Sequence, residues 1–326
     1  MSEIQTVRGP VDSADLGVTL MHEHIFVLSP EIQENYPGEW GSESDRIDDA
    51  VAKLQRAYDA GVRTIVDPTV IGLGRYIPRI EEIAARVPIQ LVVATGVYTY
   101  EDVPHYFHYR GPALNQAVGV EVPEPMIDMF VRDIREGIAD TGVKAGMLKC
   151  AIDAPGATPG VERIMRAIAA AHHQTGTPIT VHTHPDTKAG LQVKRIMCDE
   201  EGVDPRHVVL GHSGDTTDVD HLSELADMGF VLGMDRFGIN LETTFEARAD
   251  TLIAMVERGY TEQMVLSQDA SCYIDWVDPD VMAFLPQWHY THLFEDVFPY
   301  VLERGVTQDQ IDTMLNDVPR RVMEKR

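Results

Sequence analysis

The amino-acid sequence predicts a (β/α)8 barrel formed by residues 1–326 as one domain, and two observations carry that reading. Short apolar, β-branched runs recur along the chain, each followed by a stretch with helical apolar spacing, the alternation of a parallel sheet wrapped by helices. Eight such runs start 23 to 56 residues apart, and no Gly/Ser linker, repeat or low-complexity tract divides them. A doubly wound sheet is the structural alternative, but neither GxGxxG nor GxxxxGK follows the first strand.

Strands are predicted to start near Thr19, Thr64, Ile89, Ala145, Pro178, His207, Phe230 and Met264. Helical spacing fills the intervals, for example over Ser44 to Ala60, Met126 to Asp140, Gly160 to Thr175 and Thr217 to Met228. Two connections are longer than the rest, His105 to Pro125 after the third strand and Ser271 to Trp288 after the eighth. Both belong to the face where barrel strands end, which builds the active site in this architecture. The second carries Tyr273, Trp276, Phe284 and Trp288, either as an apolar pocket wall or as a loop packing its own hydrophobes.

Composition narrows the partners. With 44% hydrophobic and 24% charged residues and no 18-residue uncharged run, the chain is neither disordered nor membrane-spanning in pattern. A formal net charge of −25 repels phosphate backbones and anionic lipid, so nucleic acid and membrane surfaces are not expected partners. Met1 to Pro10 lacks the apolar core of a secretory signal, and Cys150, Cys198 and Cys272 show no paired spacing; both point to the cytoplasm. Thirteen histidines against three cysteines suit divalent cations held without thiolates.

His22 and His24, in Met-His-Glu-His on the first strand, are the strongest local signal. Positions i and i+2 of a strand share a face, so both imidazoles are predicted to point inward and meet one cation. His182 and His184 repeat this spacing on the fifth strand, and either could be the ligand. His212 ends the sixth strand and Asp269 the eighth, so four strands converge on roughly four nitrogens and an oxygen, enough for more than one zinc-like ion. Lys149 nears the end of the fourth strand. Burial there would populate its neutral amine, which reacts with carbon dioxide to a two-oxygen carbamate; an ion pair with Asp153 is the other reading. His172 and His173 fall in a helix's last turn, His221, His289 and His292 in helical patterns, and His105 and His108 in the long loop; none is taken as a ligand.

These residues resemble the binuclear-metal pattern of the amidohydrolase superfamily. More narrowly, Gly-Val-Thr-Leu-Met-His-Glu-His, Val-Val-Ala-Thr-Gly-Val-Tyr-Thr-Tyr, Leu-Gly-His-Ser-Gly-Asp and Gly-Met-Asp-Arg-Phe-Gly are similar to the phosphotriesterase family, in particular its phosphotriesterase-like lactonases. The resemblance implies that His22, His24 and Asp269 hold one metal and His182, not His184, with His212 the second. Lys149, as N6-carboxylysine, and a hydroxide would bridge two divalent ions, zinc first and cobalt, iron(II) or manganese as alternatives. Tyr98 matches the tyrosine that marks the lactonases, Arg236 the pocket arginine, and Trp276, with Tyr273 beside it, an aromatic of the substrate-covering loop.

What the resemblance implies is a lactonase in which the bridging hydroxide attacks a carbonyl carbon, Tyr98 stabilises the developing charge and Asp269 relays the proton. N-acyl-homoserine lactones, the bacterial quorum signals, are the expected substrates, with weak organophosphate triesterase activity beside them. A dedicated phosphotriesterase and a non-catalytic metal-binding scaffold are the alternatives, and a homodimer is expected. Two departures stand out: Gln268 replaces the histidine of many relatives, and Pro68 is predicted inside the second strand, where it would remove a ladder bond.

Overall fold

The β-branched runs fold into a ring of parallel strands, in a computed structural model that describes residues 2–114, 119–241 and 243–324. An N-terminal antiparallel hairpin, β1 (Glu3–Thr6) and β2 (Gly9–Asp12), comes first and has no counterpart in the sequence reading. Eight strands then lie side by side in chain order: β3 (Thr19–Leu20), β5 (Thr64–Asp67), β6 (Gln90–Gly96), β7 (Met147–Ile152), β8 (Ile179–Thr183), β9 (Val208–Gly211), β10 (Val231–Met234) and β11 (Met264–Leu266). Every predicted start falls within two residues of an observed one. The ring closes through a second parallel pair, in which β12 (Ser271–Ile274) joins β4 (His24–Val27), with Ser271 opposite His24. The barrel predicted from the sequence is therefore the fold observed, with its first and eighth strands each interrupted at a candidate ligand.

The helices follow from caps and spacing. Ser42 caps the helix Glu43–Asp59 by accepting from the Asp45 N–H, and Ile47, Ala50, Leu54 and Ala57 recur on one turn-spaced face that is buried against the sheet. Thr158 caps Pro159–Thr175, which ends at Gly176 with φ 67°, a left-handed conformation that glycine adopts without a Cβ clash. The helix predicted to reach residue 140 stops at Arg135, because Gly137 takes φ 132° and leaves the helical region. His292 leads into a helical segment at Leu293, whereas His289 lies in a turn; His105–His108 is a short helix. Residues 115–118 of the long third connection lie outside the described residues.

Two features place the site. Inside the barrel, Val66, Val92, Ala94, Met147, Val209, Val231 and Val265 pack on Ile4, Leu16, Val318, Val322 and Met323, so the hairpin and the last helix plug the amino ends of the strands. Polar groups are thereby left to the carboxyl ends. Pro68 lies one residue beyond β5 and not within it, so it removes no ladder bond: the Asp67 carboxylate accepts from the Thr69 N–H at 2.9 Å and folds Pro68 into a turn. The loop expected from Ser271 begins as β12, since its backbone completes the closure. Among the described residues, no helix is long and apolar enough to cross a membrane.

Candidate metal centre

His22, His24, Lys149, His182, His212 and Asp269 all line one cavity of about 150 Å³ at the carboxyl ends of the strands. His22 lies in the break between β3 and β4 and His24 opens β4, Lys149 and His182 sit within β7 and β8, His212 follows β9 directly, and Asp269 lies between β11 and β12. The last two take φ 65° and 52°, left-handed values that are uncommon for residues bearing a side chain. Two ligand candidates in strained backbone conformations fit a site where geometry outranks local stability. Ligand atoms of His22, His212 and Asp269 lie within 4.8 Å of one another, and His24 Nε2 lies 3.4 Å from Asp269 Oδ1.

Each imidazole is aimed by a group behind it. Asp235 takes His22 Nδ1 at 3.1 Å on one oxygen and His212 Nδ1 at 2.9 Å on the other. His24 Nδ1 meets Thr69 Oγ1 at 2.7 Å, and that hydroxyl donates to Asp67 at 2.5 Å. His182 Nε2 bonds to Asp153 at 2.5 Å, turning Nδ1 toward Tyr98 Oη at 3.4 Å. A carboxylate only accepts, and the Thr69 hydroxyl, its proton given to Asp67, likewise accepts from His24, so each of these bonds fixes the ring proton on the outer nitrogen and leaves a bare lone pair on the inner one. Burial lowers the pKa of His22, His182 and His212, that of His182 to about 3, so these rings are neutral near pH 7. His22 Nε2 and His24 Nε2 then face Asp269 Oδ1 at 3.7 and 3.4 Å, acceptor against acceptor. Neither ring donates to that oxygen, and a cation fits between such acceptors.

Lys149 is 1% exposed, and among the described residues no carboxylate lies within ion-pair distance of its amine. The ion pair with Asp153 is not formed, because His182 takes that carboxylate. Lys149 Nζ instead sits 3.4 Å from His22 Nε2, and burial, opposed by Asp269 and Asp235, brings its pKa down to about 8. Gly96 makes room for this strand: a Cβ there would fall 1.8 Å from the Lys149 carbonyl oxygen. Arg236 donates to Asp269 at 2.9 Å and to Asp215 at 3.0 Å. Burial alone would raise the Asp269 carboxyl, but His22, His212 and Arg236 outweigh it and hold the group well below its ordinary value.

A model of the phosphotriesterase family matches residues 2–323. The chain belongs to the phosphotriesterase family. It is 54% identical over 327 aligned residues to the phosphotriesterase homology protein of Mycobacterium tuberculosis, covering 100% of this chain and 99% of that one. It is 38% identical to the aryldialkylphosphatase of Saccharolobus solfataricus, over 96% of this chain and 97% of the relative. A solved structure, of the phosphotriesterase from Mycobacterium tuberculosis, matches with a TM-score of 0.95 at 54% identity, over 99% of this chain and 98% of the other.

Membership in a phosphotriesterase family of divalent-metal hydrolases agrees with the donor set: four imidazoles, an ionised carboxylate and a buried amine. Tyr98, Arg236 and Trp276 line the same cavity, with the Trp276 ring 6.0 Å from that of Tyr98. His182 lines it and His184 does not. Tyr273 does not either. It lines a separate cavity of about 700 Å³ on the outer side, under the Arg46 guanidinium at 3.7 Å. Gln268 does not line the cavity, and its Oε1 accepts from the Leu293 N–H.

The residues that sequence reasoning missed stand behind the ligands. Asp235 adjoins Arg236 in the Gly-Met-Asp-Arg motif, and its carboxylate fills the space a Cβ on Gly233 would need, 2.3 Å away. That Gly-x-Asp spacing was the available signal. Thr69, Asp67 and Asp153 are ordinary acids and hydroxyls in the sequence, and only the fold brings them to the rings, as it brings Asp215 to Arg236.

Proposed function

We propose that this family member is a metal-dependent lactonase that opens N-acyl-homoserine lactones and related lactones, with weaker hydrolysis of organophosphate triesters. The observation that carries the reading is the place of Tyr98. Its hydroxyl lies in the cavity of the ligands, 3.4 Å from His182 Nδ1 and hydrogen-bonded to Tyr100 Oη. Burial, reinforced by Tyr100, pushes the Tyr98 phenol well up, so it remains an O–H donor near neutral pH.

His22, His24 and Asp269 would hold one divalent cation and His182 and His212 a second, with Lys149, carboxylated, between them. Zinc suits this nitrogen and oxygen set, and cobalt, iron(II) and manganese are the alternatives. Ions bound there supply a water of lowered pKa and an electrophile for the substrate oxygen. Tyr98 donates a hydrogen bond to that oxygen as its charge grows, which favours the transition state over the ground state. Asp269, kept ionised, accepts a proton and passes it to the leaving alkoxide, while Arg236 fixes its orientation. A cavity of about 150 Å³ suits a small reacting head, since sites that enclose a drug-sized molecule run to roughly 300–1,000 Å³. The acyl tail is left to the rim, where Trp276 is 45% exposed.

A dedicated phosphotriesterase is the second reading, favoured by the name of the 38%-identical aryldialkylphosphatase. Steady-state rates on lactones of graded acyl length and on an aryl phosphotriester separate the two. Higher kcat/KM on lactones supports the proposal, and a phosphotriester preference of tenfold or more overturns it.

A further inference from the structure

Between the two histidines of the first strand lies Glu23, which none of the chemistry above uses. It is 0% exposed, and among the described residues it has no cationic partner within ion-pair distance. Its two carboxylate oxygens are taken by two peptide donors: the Gln268 N–H at 2.8 Å and the Ala270 N–H at 2.7 Å. These are the residues on either side of Asp269. An apolar side chain here would leave both buried N–H groups without an acceptor, and a buried carboxyl with no cationic partner is a costly way to supply one. Its position invites a reason beyond folding.

The reason lies in the backbone of Asp269. At φ 52° this residue occupies a left-handed region that is unfavourable for a residue bearing a side chain, and it persists only where neighbours fix it. The Asp269 N–H donates to His22 O at 3.2 Å and its carbonyl accepts from the Trp288 indole at 2.6 Å. The His24 N–H, in turn, donates to Ala270 O at 2.8 Å. Every one of these bonds ties Asp269 or a direct neighbour to the His22–His24 segment or to Trp288, and Glu23 supplies the only side-chain acceptor among them, two oxygens for two peptide N–H groups.

We infer that Glu23 is a positioning residue: gripping the peptides before and after Asp269, it holds that carboxylate in its strained backbone geometry, facing His22 and His24. The pair of ligands from the first strand and the ligand from the eighth become one rigid unit through the residue between the histidines. The Met-His-Glu-His motif then contributes three functional side chains, two facing the cavity and one facing the opposite strand, as alternation dictates.

This inference rests on the metal reading of the site, and Co2+ titration of the metal-free full chain, followed by visible absorbance, tests them separately. Wild type should bind Co2+ with d–d bands of low-coordinate geometry. Glu23→Gln keeps the shape but offers one acceptor and sets an amide N–H2 against a peptide N–H. Its Co2+ affinity should fall about 10–100-fold with an altered spectrum, and kcat of the Zn2+-loaded variant should fall tenfold or more with KM within twofold. Glu23→Asp, with two acceptors set back by one methylene, should lose less. Affinity and spectrum within twofold of wild type in either folded variant overturn the inference, even if thermal stability drops. So does failure of both variants to fold, which would make Glu23 a strut of barrel closure. A wild type that binds no Co2+ overturns the metal reading instead.

Discussion

Asp235→Asn is the substitution whose effect follows most directly from the geometry. Asp235 accepts from His22 Nδ1 at 3.1 Å through one oxygen, and from both the His212 N–H at 2.7 Å and His212 Nδ1 at 2.9 Å through the other. Asparagine has one acceptor oxygen. Directed to His212, where it satisfies two donors, it leaves an amide N–H2 opposite His22 Nδ1. The His22 ring can meet that group only by becoming an acceptor at Nδ1, which moves its proton to Nε2, the atom facing Asp269 and Lys149. His22 then has no lone pair for a cation. One charge-assisted bond is lost, worth roughly 1.5–3 kcal/mol, and an outer partner of this kind is worth about 10–100-fold in metal affinity, or about 1.4–2.8 kcal/mol; the two figures agree. The assay is Zn2+ binding to metal-free protein in competition with a chromophoric chelator, with 15N NMR of the histidines reporting the tautomer. Gly233→Ala should act in the same direction without touching an ionisable group, because its Cβ claims the space of the Asp235 carboxylate. Zn2+ affinity within twofold of wild type in folded Asp235→Asn would refute the reasoning.

Three further outcomes are expected. Lys149→Met should abolish turnover, and short carboxylic acids added to Lys149→Ala should restore part of it; undiminished turnover in Lys149→Met would defeat the two-cation site. Tyr98→Phe should lower kcat on a lactone by about 10²-fold and on an aryl phosphotriester by less, and equal losses would remove Tyr98 from its role as carbonyl donor. Arg248 is buried and donates through Nε and Nη2 to Asp215 at 3.0 and 2.8 Å, so Arg248→Met leaves that carboxylate short of a partner. It should lose about 3–5 kcal/mol in urea unfolding, and an unshifted midpoint would contradict the assignment.

The barrel was legible because its signals are local. A strand buried on both faces reads as a continuous apolar run, as Val208–Gly211 does, and helices such as Glu43–Asp59 announce themselves by a cap and a turn-spaced face. The ligands were legible because they sit at the ends of those runs. What escaped depends on contacts between distant segments. β1 and β2 are four residues each, with Ile4 and Val11 their only large apolar side chains apart from Pro10, so nothing marked the hairpin that plugs the barrel. Asp235 serves His22 from 213 residues away and Glu23 serves Gln268 from 245 residues away, distances at which spacing carries no information. Pro68 was misplaced by a single residue past the end of β5, and that residue decides whether a ladder bond is lost. Tyr273 belongs with Trp276 in the sequence pattern, but its ring packs on Trp40 and under the Arg46 guanidinium on the outer side, contacts between segments that spacing does not show.

The central claim is that lone pairs of four imidazoles and Asp269, with Lys149 among them, converge because two cations belong there. Elemental analysis of protein purified without chelator tests it most directly. About two divalent metal ions per chain are expected, and a preparation that is folded yet carries none, and takes up none from added zinc, would contradict it.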